Sequence, residues 1–159
     1  RYGNVMGSRG SVIPFFREMA LRGEELPITD LRMTRFWITL EQAVQFVVDS
    51  FTDMNGGELY VPRIPSMKIV DLARAIAPAS TLVESGVRPG EKLHEEMIAA
   101  ADAPRTVRRN DRYVVAPTLA VWGGYEPPAG DPVPEGFSYS SDNNDLWLTV
   151  EDLRAMIEQ

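Results

Sequence analysis

The sequence contains no cysteine and only one histidine, His94, in 159 residues. Without thiols there is no disulfide, no thiolate metal site and no cysteine nucleophile, a usage that fits a reducing compartment. A single histidine cannot build a multi-histidine metal centre. No apolar run approaches the roughly 20 residues needed to cross a bilayer, and no signal peptide is legible. The phosphate-loop pattern G-x-x-x-x-G-K-[ST] and the dinucleotide fingerprint G-x-G-x-x-G are both missing. Basic residues are in the minority, 16 against 23 acidic, for a formal net charge of -7. Such a surface repels nucleic acid and anionic lipid, so neither nucleic acid nor a membrane is expected as a partner. A phosphorylated small molecule stays open, because a few placed arginines set the local potential whatever the total.

What is present suits one globular domain with a real core: 44% hydrophobic and 25% charged residues. "RYGNVMG" reads as a strand end and a turn. "SVIPFFREMALRG" reads as a helix with Pro14 near its start and Gly23 as its stop. "LPITD" is a short strand. "MTRFWITLEQAVQFVVDSF" begins extended and becomes helical, with Thr39 and Gln42 as a capping box. Ala43, Val44, Val47, Val48 and Phe51 then form an apolar stripe predicted to face the core. "GGELYVPR" and "DRYVVAP" read as strands. Ser66 is predicted to cap a helix over "SMKIVDLARAIA", and "RPGEKLHEEMIAA" to be a loop followed by a helix. The Pro/Gly-rich stretch from Glu126 to Gly136 is predicted to be the most mobile connector. Thr149 and Asp152 cap a last helix, "LTVEDLRAMIEQ". Strands alternating with helices predict an α/β fold.

Three arginine-bearing spots carry the candidate chemistry. In "RPGEKLHEEM" the turn at Pro89 and Gly90 projects Arg88 and Glu91 to one side. An arginine fork grips phosphate bidentately, and a carboxylate beside it can accept ribose hydroxyls. The plain alternative is an exposed Arg and a Glu that serves a helix dipole. In "MTRFWITL" a period-two strand puts Arg35 and Trp37 on one face and Phe36 on the other; Arg35 is either an anion clamp or a snorkelling surface residue. "NVMGSRG" has the glycines of a ligand loop but the spacing of a simple turn. His94 reads as a structural hydrogen-bonder and "SYSSDNNDLW" as a packed turn.

Taken in order, "RYGNVMGSRGSVIPFF", "ITDLRMTRFWITLEQAV", "GGELYVPRIPSMKIVDLA", "GVRPGEKLHEEM" and "FSYSSDNNDLWL" resemble the C-terminal half of the inverting UDP-N-acetylglucosamine 4,6-dehydratases. These belong to the extended short-chain dehydrogenase/reductase superfamily, and the likeness covers nearly the whole chain. Retaining 4,6-dehydratases share R-P-G-E-K-L, and dehydratase/epimerases share R-Y-G-N-V and M-T-R-F; both stand second. Readings of another class are a non-catalytic sugar-nucleotide-binding module and a purely structural domain. The resemblance implies that a Rossmann half with G-x-G-x-x-G and a Tyr-x-x-x-Lys would precede Arg1, and that the catalytic residues lie there. Neither motif, no catalytic residue and no metal ligand is expected in these 159 residues. Residues 1–10 and about 40–62 would add to the Rossmann domain, and the rest would build the substrate domain.

The resemblance also implies the chemistry. UDP-N-acetylglucosamine would be converted, with NADP as cofactor and inversion at C5, into UDP-2-acetamido-2,6-dideoxy-beta-L-arabino-hex-4-ulose. That is the first step of pseudaminic acid biosynthesis, which serves flagellin glycosylation, in a cytoplasmic homo-oligomer. Asn4 would touch the sugar nucleotide. Val5, Met6, Gly7, Ser8 and Arg9 would line the nicotinamide end of NADP. Arg35 and Arg88 would meet the pyrophosphate, and Glu91 would sit near the ribose.

Overall fold

Five residues, Thr34–Ile38, form the strand around which the chain is organised, and all five are buried. Aromatic and β-branched side chains suit a covered strand, and burial of both faces is what a strand between two packed layers requires. The computed structural model describes residues 1–8, 11–119 and 125–158. The elements in chain order are β1 (Asn4–Val5), α1 (Val12–Leu21), β2 (Leu26–Ile28), β3 (Thr34–Ile38), α2 (Leu40–Asp53), β4 (Leu59–Pro62), β5 (Ser66–Lys68) and α3 (Ile69–Ile76). They continue with β6 (Leu82–Glu84), β7 (Glu96–Ile98), a 3-10 turn (Ala100–Arg105), β8 (Thr106–Arg109), β9 (Arg112–Val115), β10 (Asp131–Pro132), β11 (Tyr139–Ser140) and α4 (Val150–Ile157).

Strand β3 lies parallel to β1, with Asn4 opposite Trp37, and antiparallel to β5, with Arg35 opposite Met67. A second, antiparallel sheet runs in the order β10-β8-β9-β4, and two strand pairs, β2 with β6 and β7 with β11, complete the set. The architecture is mixed α/β, as the alternation of elements predicts. The period-two reading of β3 also matches what is seen. Trp37 packs with Phe16, Leu26, Met67, Leu72 and Leu153, joining α1, α3 and α4 on one face. Phe36 and Ile38 pack with Val61, Ile98, Tyr113 and Tyr139 on the other. The rings of Phe36 and Tyr139 are 4.7 Å apart. Burying a side chain such as Phe36 completely contributes about 1.5–3 kcal/mol, so β3 anchors both cores.

The two helix starts marked by a capping box are where the sequence places them. Thr39 and Gln42 form a reciprocal capping box at α2, and Thr149 and Asp152 form another at α4. Four expectations need correction. Ser66 does not cap α3: it belongs to β5, and Lys68 holds the cap position without a side-chain bond. Pairing of residues 66–68 with β3 competes for the backbone that an earlier helix start would use. The stretch from Arg88 to Glu95 does not lead into a helix; Glu96–Ile98 is a strand paired with β11. Its Leu93 carbonyl accepts from both Thr34 N and Arg35 Nη1, and its Lys92 carbonyl from Arg35 Nη2, so tertiary partners hold the segment in place of helical i→i+4 bonds. On α2 the buried side chains are Ala43, Phe46 and Ser50. Val44, Val47 and Val48 are about half exposed and Phe51 is 80% exposed. The helix is apolar on two sides, and the sheet takes the side carrying Phe46, which packs with Tyr60 and Val114. Finally, the Glu126–Gly136 connector is tied down at Asp131–Pro132, which pairs with β8.

Candidate functional site

A cleft of about 570 Å³ opens between β1, β3, the start of α1 and the turn at Arg88–Glu91. It brings together Asn4, Val5, Ser8, Arg35, Arg88 and Glu91, drawn from three separate stretches of sequence. Of the other expected ligand residues, Met6 packs against the α1/α3 core. Gly7 has φ +71°, a left-handed turn with open space where a side chain would stand. Arg9 lies outside the described residues.

The turn is built locally. Gly90 takes φ +83°, and Glu91 N donates to Arg88 O at 3.0 Å. One carboxylate oxygen of Glu91 accepts from Arg88 N at 3.3 Å. The other accepts from Thr29 Oγ1 at 3.5 Å. Arg88 itself is exposed at the mouth of the cleft.

Arg35 sits differently. It is only 9% exposed, and its Nη1 donates to Thr34 O at 2.7 Å and Leu93 O at 3.0 Å. Its Nη2 donates to Lys92 O at 2.9 Å, while Nε faces the Glu95 carboxylate at 3.5 Å. A guanidinium has five N–H bonds, so one Nη2 proton is left over for the cleft. The strand residue therefore braces the irregular segment behind the Arg88 turn.

Sequence reasoning missed two polar groups in the wall. Among the described residues, buried Trp37 Nε1 and Ser11 Oγ have no hydrogen-bond partner, and both residues line the cleft. An indole N–H can only donate, and leaving a buried donor unpaired costs about 1–3 kcal/mol. Ser11 holds the N-cap position of α1 yet makes no cap bond, so its hydroxyl is spare. The shared face of Arg35 and Trp37 was legible; that the indole would lack a partner was not.

Behind the turn lies a polar cluster. Thr34 Oγ1 is 2.7 Å from His94 Nδ1 and 2.7 Å from Ser141 Oγ. His94 Nε2 is 3.9 Å from the Asp142 carboxylate, which Ser140's hydroxyl, foremost, holds below its ordinary pKa. Hydroxyl, imidazole and carboxylate in sequence have the chemistry of a nucleophile relay. Thr34 is only 3% exposed and Ser141 0%, however, so substrate cannot reach the hydroxyls and the arrangement fastens rather than reacts. Among the described residues no group of three His, Cys, Asp or Glu side chains could hold a metal ion. No described helix is long and apolar enough to cross a membrane.

The cleft is walled by the buried strand β3 and by the exposed turn that carries Arg88 and Glu91, on an α/β scaffold. The chain belongs to the polysaccharide biosynthesis protein family, whose model matches residues 1–117. It is 48% identical to UDP-N-acetylglucosamine 4,6-dehydratase (inverting) of Campylobacter jejuni over 165 aligned positions, covering 99% of this chain and 49% of that protein. It is 41% identical to the capsular polysaccharide biosynthesis protein CapD of Staphylococcus aureus over 106 positions, 62% of this chain and 18% of CapD. The solved structure of Pen from Bacillus thuringiensis superposes with a TM-score of 0.82 at 29% identity, over 99% of this chain and 47% of Pen. The chain thus spans about half the length of the dehydratase it resembles, and its fold is that of the C-terminal part of an extended short-chain dehydrogenase/reductase.

Proposed function

We propose that this chain is the sugar-nucleotide-binding half of a C5-inverting UDP-N-acetylglucosamine 4,6-dehydratase. The observation that carries the reading is the convergence of Asn4, Arg35, Arg88 and Glu91 on one cleft, in a chain 48% identical to such a dehydratase. Arg88, free to move at the mouth, grips the diphosphate as a fork. Arg35 adds one charge-assisted N–H from the wall, its other donors holding the turn. Glu91 accepts from the ribose hydroxyls. Binding energy collected on the nucleotide holds the hexose in place for reaction.

A nicotinamide dinucleotide, NADP in this reading, would supply reversible hydride storage. The residues present fit one edge of it: Val5 and Ser8 line the cleft, and the left-handed, unobstructed Gly7 lets backbone approach a flat ring closely. Residues 1–10 and about 40–62 would belong to the nucleotide-binding domain. Among the described residues the titratable side chains in the cleft are Arg35, Arg88 and Glu91, all assigned to binding, and in this reading proton transfer falls to residues outside this chain. A homo-oligomer feeding pseudaminic acid synthesis in the cytoplasm completes the reading.

The test is titration of UDP into full-length protein. Arg88→Ala should weaken binding by about 1.5–3 kcal/mol, the worth of a hydrogen bond to a charged group. Unchanged affinity removes Arg88 from the site. The 159-residue chain alone, supplied with NADP and UDP-N-acetylglucosamine, should form no 4-keto sugar; a product peak would overturn the division of labour.

A further inference from the structure

We propose that His94, together with Thr34 and Ser141, is a positioning residue that sets the location of the anion-binding turn at Arg88–Glu91. The inference rests on the assignment of that turn to the UDP moiety and adds three residues that themselves touch no ligand. Between β6 and β7 the chain has no helix or strand from Ser85 to Glu95. Regular backbone ladders therefore cannot fix where Arg88 and Glu91 stand, and side chains must. Arg35 holds the carbonyls of Lys92 and Leu93 from one side, and Thr34 N donates to Leu93 O at 3.2 Å.

The second hold is the hydroxyl–imidazole cluster. His94 reaches back to Thr34 Oγ1 at 2.7 Å. Ser141 meets the same oxygen at 2.7 Å and clasps Glu95 twice, accepting from Glu95 N at 2.9 Å through its hydroxyl and donating its own backbone N–H to Glu95 O at 2.8 Å. Ser141 Oγ also donates to Thr34 O at 3.2 Å. Three segments far apart in sequence, around residues 34, 94 and 141, thus meet at one buried hydroxyl. Buried networks of this kind favour a single arrangement when every member is satisfied. Here the arrangement is that of a loop whose displaced states would bind the diphosphate less well, because ordering it would then be charged against binding.

The experiment uses full-length protein, UDP as probe, and the dehydratase assay. UDP titration of the wild-type protein tests the site assignment by itself; no binding there sinks the assignment and the inference with it. With binding established, His94→Leu should raise the UDP dissociation constant and the sugar-nucleotide KM about fivefold to tenfold, the effect of one lost hydrogen bond, and Thr34→Val, which also loses the contact to Ser141 Oγ, at least as much. The turnover number should stay within about twofold. The double variant should be little worse than Thr34→Val alone, because that substitution already removes the bond to His94. His94→Asn, whose Oδ1 can stand where Nδ1 stands, should recover most of the loss. Should His94→Leu fail to fold, Ser141→Ala carries the same test. A variant that melts earlier yet binds UDP as tightly as wild type shows a purely structural cluster and overturns the proposal. So does a His94→Asn variant as weak as His94→Leu.

Discussion

Replacing Arg35 by lysine separates two roles that its charge alone confuses. If Arg35 served only as a phosphate clamp, Arg35→Lys would keep the charge and lose mainly ligand affinity. The geometry says otherwise. The guanidinium spans three carbonyls, Thr34 O at 2.7 Å, Lys92 O at 2.9 Å and Leu93 O at 3.0 Å, at a site only 9% exposed. A lysine ammonium is a compact point with three donors on a flexible stem. It cannot reach all three carbonyls fanned out to fit a planar fork, so one or two of the bonds are lost. Hydrogen bonds to charged groups are worth about 1.5–3 kcal/mol each; with partial compensation the expected loss of folding stability is about 2–4 kcal/mol. Arg88→Lys, at an exposed position, should leave stability within about 0.5 kcal/mol and act only on UDP affinity. Urea denaturation followed by circular dichroism, at constant m-value, gives the first number; calorimetric titration with UDP gives the second. Wild-type stability in Arg35→Lys would falsify the bracing role.

Three further outcomes follow from single contacts. A Cβ on Gly3 would stand 2.5 Å from Phe36 Cβ and 3.0 Å from Phe36 O, so Gly3→Ala must push β1 off β3; a loss of about 1–3 kcal/mol is expected for such overpacking, and an unshifted urea midpoint contradicts the β1–β3 approach. Hydrogen bonds from Arg32 hold the Asp30 carboxyl down to about 2, below its ordinary 3.8. A depressed carboxylate adds stability at pH values above its unfolded pKa and loses it as pH falls from about 4 toward 2; a carbon-13 NMR titration of Asp30 should show the low midpoint, and a midpoint near 3.8 contradicts the pairing. Burial, foremost, pushes the Tyr139 phenol well above its ordinary 10.0, and the phenol bridges both backbone groups of Ile64, at 3.0 and 3.1 Å. Being an acid with a raised folded-state pKa, it contributes stability that is present below pH 10 and is lost as pH rises beyond it. In an absorbance titration near 295 nm, Tyr139→Phe should leave the folded-state phenolate signal at pH 10–11 unchanged; a missing increment would mean that Tyr139 ionises with ordinary ease.

What the sequence discloses and what it hides divide along the range of the forces involved. Thr39 with Gln42, and Thr149 with Asp152, are legible because a capping box closes within four residues. The alternation of Arg35, Phe36 and Trp37 is legible because a strand has a fixed period. The stretch after Arg88 misleads because the carbonyls that would make a helix are claimed by Arg35, more than fifty residues away; tertiary bonds override a local preference. Val44, Val47, Val48 and Phe51 mislead in another way. Spacing shows that a face is apolar, but the two apolar sides of α2 compete for one sheet, and Phe46 takes it. His94 is the sharpest case. No pattern links it to Thr34 and Ser141, separated by 60 and 47 residues from it, for their meeting depends on how β3, β7 and β11 stack. The turn at Arg88–Glu91 can be read from six letters, whereas the groups that hold it still can be read only from the fold. A site of this kind should therefore respond to substitutions that no motif marks.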